Sequence, residues 1–258
     1  NNPEHRLRFE QEARSLAKVN HGGILAVFDS GPLPDGSGFL VTERLSGTTL
    51  RELLDQRGAG TPGEVAELLR QVGSALASAH RAGLVHRDLK PENLFVEGTS
   101  KGLRFVILDL GLAKPMSADT GLTQTGMVLG TPRYMAPEQL LGRSVDARTD
   151  LYAFAAVAFE SLTGTPVVRS RALADVAVEV IQAPPPRLRD LLPEATEAME
   201  EAFQQGLAKD PSLRPGDAEA WARGLAESLE PVPNPRKTQC WGRLSPIPTH
   251  TNQDEPTS

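Results

Sequence analysis

HRDLKPENLF, residues 86–95, sets charged side chains, a proline and an amide between two apolar runs of the sequence. Three of these side chains have the chemistry that phosphoryl transfer needs. The carboxylate of Asp88 can accept the proton of an attacking hydroxyl, and the ammonium of Lys90 can lie near the transferring group. The amide oxygen of Asn93 can bind magnesium. All three side chains lie within six positions, so the stretch predicts a catalytic loop.

A second carboxylate follows in the stretch ILDLGLAK. Asp109 comes directly after a predicted strand and before a glycine, where a metal ligand could face the same cleft. Further along the chain, GTPRYMAPE runs from Gly130 to Glu138. This third stretch closes the segment that begins at Asp109.

The composition is that of an ordinary globular protein. Of the 258 residues, 39% are hydrophobic and 23% are charged, which is enough to bury a core. The net charge of -6 and the isoelectric point near 5.5 disfavour a nucleic acid as partner of the whole chain. The lone Cys240 cannot form an internal disulfide, so we expect a reducing cytoplasm. The longest apolar run, Leu151–Phe159, is too short to span a membrane and predicts a buried helix.

The hydrophobic pattern predicts a few strands first and a helical body second. Proline and threonine dominate from residue 230 onward, which predicts a flexible tail over 230–258. Strands are expected at 24–31, 38–45, 94–96 and 104–108, and helices at about 3–19, 49–57, 63–82, 137–141, 148–163, 171–182, 194–207 and 216–229.

Five motifs in this order resemble those of the eukaryotic-type protein kinases, in the style of the bacterial Ser/Thr kinases. They are HRDLKPEN, DLG, APE, RTDLYAF around Asp150, and KDPSLRP. The resemblance implies an α+β, two-lobed kinase fold. Residues 1–45 would form a truncated small lobe with helix C and two strands, and residues 46–229 a mostly helical large lobe.

The same resemblance implies a role for each polar residue of the loop. Asp88 would be the catalytic base, and Lys90 would contact the γ-phosphate of ATP. Asn93 and Asp109 would bind Mg²⁺, and Arg87 would pair with a phosphorylated activation segment.

For the nucleotide side of the cleft, the resemblance implies a second set of residues. Glu12 would be the helix C glutamate that pairs with a strand lysine, and Thr42 would be the gatekeeper. The backbones of Glu43 and Leu45 would contact adenine, with Phe95 beneath the ring.

The resemblance also bears on the acceptor and on regulation. Lys90 and Thr131 are typical of kinases whose partners are proteins with serine or threonine acceptors. Thr123 and Thr125 are either ordinary polar loop residues or, as we expect, sites that a second copy phosphorylates in trans.

Two parts of a complete kinase are missing from this sequence. The glycines of GAGTPG, residues 58–63, lie between two predicted helices, whereas the phosphate-covering loop joins two strands. Lys18, the only lysine before Lys90, lies six residues after Glu12 on one predicted helix. Six steps of roughly 100° turn the two side chains about 240° apart, so Lys18 is not the partner of Glu12.

Two explanations of these missing parts remain. The chain, which begins at Asn1 within a helical pattern, is either cut from a longer active kinase or a relative that only binds partners. We expect the first, since the catalytic loop and Asp109 are intact, and we expect the 258 residues alone to lack kinase activity.

Three further residues carry both a structural and a family interpretation. Asp150 could cap a helix or, as we expect, bind the backbone of the catalytic loop. Glu138 and Arg214 could be solvated charges, but the family resemblance implies that they form an ion pair.

Overall fold

Short strands lie in the first half of the chain and helices fill the second half. The computed structural model describes residues 19–33, 38–110, 132–230 and 241. Within these ranges the strands are β1 Val27–Pro32, β2 Gly38–Thr42, β3 Thr48–Thr49, β4 Leu94–Thr99 and β5 Gly102–Ile107. The helices are α1 Leu50–Arg57, α2 Pro62–Arg81, α3 Pro137–Leu140, α4 Ala147–Thr163, α5 Leu173–Ile181, α6 Leu188–Leu191, α7 Glu197–Gly206 and α8 Ala218–Leu229.

The first two helices begin at threonines that satisfy the free backbone N–H groups of the first turn. Thr49 accepts a hydrogen bond from the Glu52 N–H and Thr61 one from the Glu64 N–H, and each glutamate bonds back to the N–H of its threonine. Gly58 ends α1 at a φ of 72°, which a glycine adopts without strain. The predicted helices at 49–57 and 63–82 are therefore confirmed.

Helix α4 forms the centre of the helical body. Every residue from Thr149 to Thr163 is buried, as the apolar run of the sequence predicts. The helix packs against α2, α6, α7 and α8. Phe154 of α4 meets Trp221 of α8 edge to face at 5.6 Å. No described helix is long and apolar enough to cross a membrane.

The strands form two separate sheets. Strands β3, β4 and β5 are antiparallel neighbours, with Leu94 opposite Ile107, and among the described strands β1 pairs with β2 alone. The Ile107 N–H also donates to the Gly23 carbonyl at 2.8 Å, and the Leu25 N–H donates to the Ile107 carbonyl at 3.0 Å. The end of β5 is thereby joined to the segment that precedes β1.

The structure corrects several predicted boundaries. Helix α7 begins at Glu197 instead of 194 because Thr196 caps it, and α8 begins at Ala218 instead of 216 because Asp217 caps it. Strand β2 ends at Thr42 instead of 45, after which the Ser46 N–H turns to the Glu97 carboxylate at 2.5 Å. No predicted strand covers β3 and no predicted helix covers α6, which have two and four residues.

Two predictions concern the ends of the chain, a helix over 3–19 and a flexible tail over 230–258. The predicted helix 3–19 lies outside the described residues except for Val19. In the predicted tail 230–258, Trp241 departs from the expectation of a free, flexible segment because its side chain is fully buried against the large lobe. A composition rich in proline and threonine does not indicate whether a single tryptophan in the segment is buried.

Candidate active site

A buried imidazole holds the catalytic loop against the end of β5. The His86 side chain accepts the Asp88 N–H at Nδ1, at 3.2 Å, and its Nε2 lies 2.9 Å from the Leu108 carbonyl oxygen. Because Nδ1 is an acceptor, the proton lies on Nε2, which donates to Leu108. His86 thus connects the backbone of Asp88 to the residue that precedes Asp109.

The carboxylate of Asp150 also binds the backbone of the catalytic loop. It is 1% exposed and accepts the backbone N–H groups of His86 and Arg87, each at 2.8 Å. His80 Nε2 makes a third contact at 2.8 Å. The cap of α4 is Asp146, so the interpretation of Asp150 as a loop-binding residue is confirmed and the helix-cap alternative is wrong.

Backbone strain coincides with these contacts. Arg87 has a φ of 66° and Asp109 a φ of 51°, the only positive values among the described residues other than glycine. Such values cost a non-glycine residue free energy and persist only where surrounding contacts enforce them. At Arg87 the bond to Asp150 is one such contact, and the Arg87 carbonyl, which accepts from Gln139 Nε2 at 2.7 Å, provides another.

The three polar side chains of the loop meet at one point. Lys90 Nζ lies 3.1 Å from Asp88 Oδ2, and Asn93 Nδ2 donates to the Asp88 carbonyl oxygen at 2.8 Å. The side chains of Asp88 and Lys90 are 25% and 17% exposed. A carboxylate, an ammonium and an amide therefore share a site that an incoming hydroxyl and phosphate can reach.

A short 3₁₀ turn, Pro91–Asn93, returns the chain to Asp88. The carbonyl of Asn93, the last residue of this turn, accepts the Leu108 N–H at 2.8 Å, next to Asp109. Asp109 follows directly and is exposed. The predicted metal ligands Asn93 and Asp109 thus lie on two segments that are hydrogen-bonded to each other.

These donors suit a magnesium ion that is shared with phosphates. Among the described residues, no group of three or more His, Cys, Asp and Glu side chains could hold a metal by itself. Mg²⁺ keeps several waters and is commonly bound by one or two protein oxygens plus substrate phosphates. With its amide nitrogen bonded to Asp88, Asn93 has its side-chain oxygen left for a cation, and Asp109 adds one carboxylate.

Glu43, whose backbone is predicted to contact adenine, has its side chain bound by other residues of the chain. Its carboxylate binds Arg104 at 3.0 Å and the Ala26 N–H at 3.0 Å, and the bonds from Arg104 lower the pKa of Glu43. The Glu43 N–H donates to the Ala26 carbonyl at 3.0 Å, and the Glu43 carbonyl accepts from the Thr42 hydroxyl at 3.1 Å. Leu45 is half-buried, and Phe95 is half-buried on the face of β4 opposite Leu94 and Val96.

Several predicted site residues lie outside the described part of the chain, namely Glu12, Thr123, Thr125 and Thr131. Arg87, predicted to bind a phosphorylated activation segment, is described. Its Nε is buried and has no hydrogen-bond partner among the described residues. A guanidinium nitrogen in this state has donor capacity left for an anion.

Glu138 and Arg214 form a buried ion pair, as the resemblance implied. The two carboxylate oxygens accept from the guanidinium at 2.7 and 2.9 Å, and Thr149 Oγ1 donates at 2.7 Å. Burial alone would raise the pKa of Glu138, but the bonds from Arg214 and Thr149 outweigh it and the pKa lies below its ordinary value. The pair joins the start of α3 to the loop before α8.

Sequence reasoning missed a second buried cluster next to the site. Glu160 accepts from Arg51 Nη1 at 2.8 Å and from the Tyr134 hydroxyl, and burial raises the pKa of Tyr134. This cluster connects α1 and α4 to the residues that follow Thr131. The available signal was a glutamate at the end of the otherwise apolar run of α4, since a buried charge is rare without a partner.

The comparisons with known proteins agree with this geometry. The chain matches the family model for the protein kinase domain over residues 2–224. Serine/threonine-protein kinase pkn3 of Myxococcus xanthus is 39% identical over 225 residues, which cover 84% of this chain and 41% of the relative. Serine/threonine-protein kinase PknL of Mycobacterium tuberculosis is 39% identical over 242 residues, which cover 90% of this chain and 58% of the relative.

Solved structures support the same fold. The kinase domain of PknI from Mycobacterium tuberculosis aligns with a TM-score of 0.66 and 29% identity over 88% of this chain and 80% of the PknI chain. A structure of Rad53 in complex with AMP-PNP has a TM-score of 0.70 at 23% identity over 84% of this chain and 54% of its own, a likeness of fold. By its motifs, its fold and these matches, the chain belongs to the protein kinase family.

Proposed function

We propose that the chain carries the catalytic centre of a protein serine/threonine kinase, which transfers the γ-phosphoryl group of ATP to protein hydroxyls. The observation that supports the proposal most strongly is the contact of Lys90 and Asn93 with Asp88, at 3.1 and 2.8 Å. Each of these residue types has a distinct task in phosphoryl transfer.

In the proposed reaction, Asp88 orients the acceptor hydroxyl and takes its proton. The new bond joins the acceptor oxygen to the γ-phosphorus, the bond between that phosphorus and the β–γ bridging oxygen breaks, and ADP leaves. Lys90 attracts the charged oxygens of the phosphoryl group. Asn93 and Asp109 would hold Mg²⁺, which neutralises phosphate charge when bound.

The lobes divide the remaining tasks. Residues 1–45 are proposed to supply small-lobe contacts to ATP, with Glu12 in helix C and the backbones of Glu43 and Leu45 against adenine. Residues 46–229 are proposed to form the large lobe, which carries the transfer site and Phe95.

The acceptor and the control of activity follow from residues around the loop. Lys90 and Thr131 favour serine and threonine, so the proposed partners are cytoplasmic proteins with these acceptors. Phosphate on Thr123 or Thr125, added in trans by another copy, would pair with Arg87 and order the activation segment. The buried Nε of Arg87, which has no partner in the described part of the chain, supports this assignment.

The test uses radiolabelled ATP and a mixture of proteins with all three hydroxyl acceptors. The chain is extended at its N-terminus by a glycine-rich loop and a strand lysine, because the 258 residues contain neither in the required place. We expect phosphoserine or phosphothreonine, and at least about a 100-fold loss of turnover in Asp88→Asn and in Asp109→Asn. The 258 residues alone should show no transfer.

A matched control is Asp175→Asn, which makes the same change at an exposed carboxylate of α5 and should leave turnover within about twofold. Predominant phosphotyrosine would show that Lys90 and Thr131 do not select the acceptor. Equal turnover in Asp88→Asn and Asp175→Asn would remove Asp88 from the reaction.

A further inference from the structure

Trp241 is buried at a position beyond the part of the chain that matches the kinase family. The family match ends at residue 224, and α8 ends at Leu229. The indole side chain of Trp241 is nevertheless 0% exposed and belongs to the same hydrophobic cluster as α2 and α4. The large lobe therefore contains an aromatic side chain that its family domain does not account for.

The contacts of Trp241 are specific and include its polar atoms. Its Nε1–H donates to the Gly58 carbonyl at 3.3 Å, and its own carbonyl accepts from Arg57 Nη1 at 3.4 Å. Phe105 of β5 meets the indole edge to face, with ring centroids 6.5 Å apart. A buried indole usually requires a partner for its N–H, and this one has it in the backbone that ends α1.

Gly60 creates the space that the indole occupies. A Cβ added at this position would lie 2.9 Å from both Cη2 and Cζ2 of Trp241, closer than such atoms can approach. The Gly60 N–H donates to the Ser161 carbonyl of α4 at 2.8 Å, so the turn cannot easily move aside. By contrast, a Cβ at Gly63, three residues further along, would meet no atom within 4 Å.

We propose that the GAGTPG turn, together with Phe105, forms an indole-binding pocket whose ligand is Trp241 of the same chain. The pocket holds the Trp241 side chain against the large lobe as a detachable latch. Its walls come from the junction of α1 and α2 and from β5, the strand that leads to Asp109. The glycine-rich turn, which is wrongly placed for covering a phosphate, thus has a ligand of another chemical class.

The first experiment observes the indole directly in the full chain labelled with 5-fluorotryptophan. The chain has two tryptophans, so two ¹⁹F signals are expected, and Trp241→Phe assigns them. In the wild type both signals should be insensitive to exchanging H₂O for D₂O. Gly60→Ala should make the Trp241 signal solvent-sensitive, whereas the matched control Gly63→Ala should not.

The Trp221 signal reports in the same spectra whether the large lobe is folded, because this ring is packed against Phe154 and Phe203. A solvent-sensitive Trp241 signal in the wild type would overturn the proposal. The same holds if Gly60→Ala and Gly63→Ala give identical, protected signals while Trp221 stays shielded.

The second experiment tests the pocket as a binding site. The variant Trp241→Ala leaves an apolar cavity, and cavities of this kind bind ligands of matching shape. A peptide of residues 236–246, kept reduced, should bind this variant at least about tenfold more tightly than the wild type, whose pocket is occupied. The same peptide with alanine in place of tryptophan should not bind.

Two results would contradict the latch. Equal binding of the peptide to both proteins would show that Trp241 does not occupy a separable pocket. A solution mass of two chains, with the Trp241 signal still shielded, would place the indole in the pocket of a second copy and overturn the assignment to the same chain.

Discussion

Single residues define the catalytic loop through the hydrogen bonds that fix its backbone. The motif containing Asp150 predicted its role, and Asp146, four positions earlier, took the helix-cap role that the sequence left open. Both are aspartates at the start of the same apolar helix, so pattern alone could not assign the cap. The two aspartates differ in their distance from the backbone of the catalytic loop, and this distance is set by the fold of the chain.

This division of roles predicts different costs for two chemically identical substitutions. Asp150→Asn replaces a buried acceptor oxygen by an N–H₂ group that faces the donors of His86 and Arg87, so the free energy of unfolding should fall by about 2–4 kcal/mol. Asp146→Asn keeps a good cap and should cost less than about 1 kcal/mol. Urea unfolding of both variants measures the two values. Equal losses would mean that the bonds of Asp150 contribute nothing beyond helix capping.

At the scale of elements, the long helices and the central strands could be predicted from the sequence, and their ends could not. The buried helix around Leu151–Phe159 was evident because its apolar run is longer than a typical strand. The starts of α7 and α8 depend on whether a threonine or an aspartate turns its oxygen to the first free N–H groups. Proline-rich composition likewise concealed the contact of Trp241, since a partner distant in sequence leaves no local signal.

The ion pair that joins α3 to the loop before α8 predicts a pH effect. The pKa of Glu138 is lowered in the folded chain, so its contribution is present above the ordinary glutamate pKa of about 4.3 and is lost as the pH falls through the folded value. We expect the urea midpoint of the wild type to fall more steeply below pH 4.5 than that of Glu138→Gln. Parallel curves for the two proteins would show that this carboxylate has the same pKa in both states.

At neutral pH, Glu138→Gln should strongly lower the free energy of unfolding. Removing the carboxylate charge leaves Arg214 buried without its partner, which costs about 3–5 kcal/mol. The double variant Glu138→Gln, Arg214→Met should recover part of this loss. If it is instead as unstable as the sum of the two single variants, the pair has no coupling energy.

At the scale of the whole molecule, the motifs predicted the kinase fold and the location of its catalytic loop. They could not reveal how unequally the two parts of the described chain are packed. One hydrophobic cluster contains residues of α1, α2, α4, α6, α7 and α8 together with strands β4 and β5. The β1–β2 sheet adds only the partly buried Val27 to it, while Phe28 is 69% exposed and Val41 is 45% exposed.

This difference in packing predicts a difference in local stability, which native-state hydrogen exchange can measure. A sheet of only two strands is marginally stable in water, and burial stabilises by roughly 25 cal/mol per Å², so exposed apolar side chains such as Phe28 contribute little. The amides of β1 and β2 should therefore exchange through local opening, whereas those of α4, buried along its length, should exchange only through global unfolding. We expect protection factors in α4 to exceed those in 27–42 by at least about 100-fold, which is a difference in opening free energy of about 2.7 kcal/mol. Equal, strong protection in both would mean that β1 and β2 unfold together with the large lobe, and would favour a chain that serves as a finished binding module over one that needs further small-lobe strands.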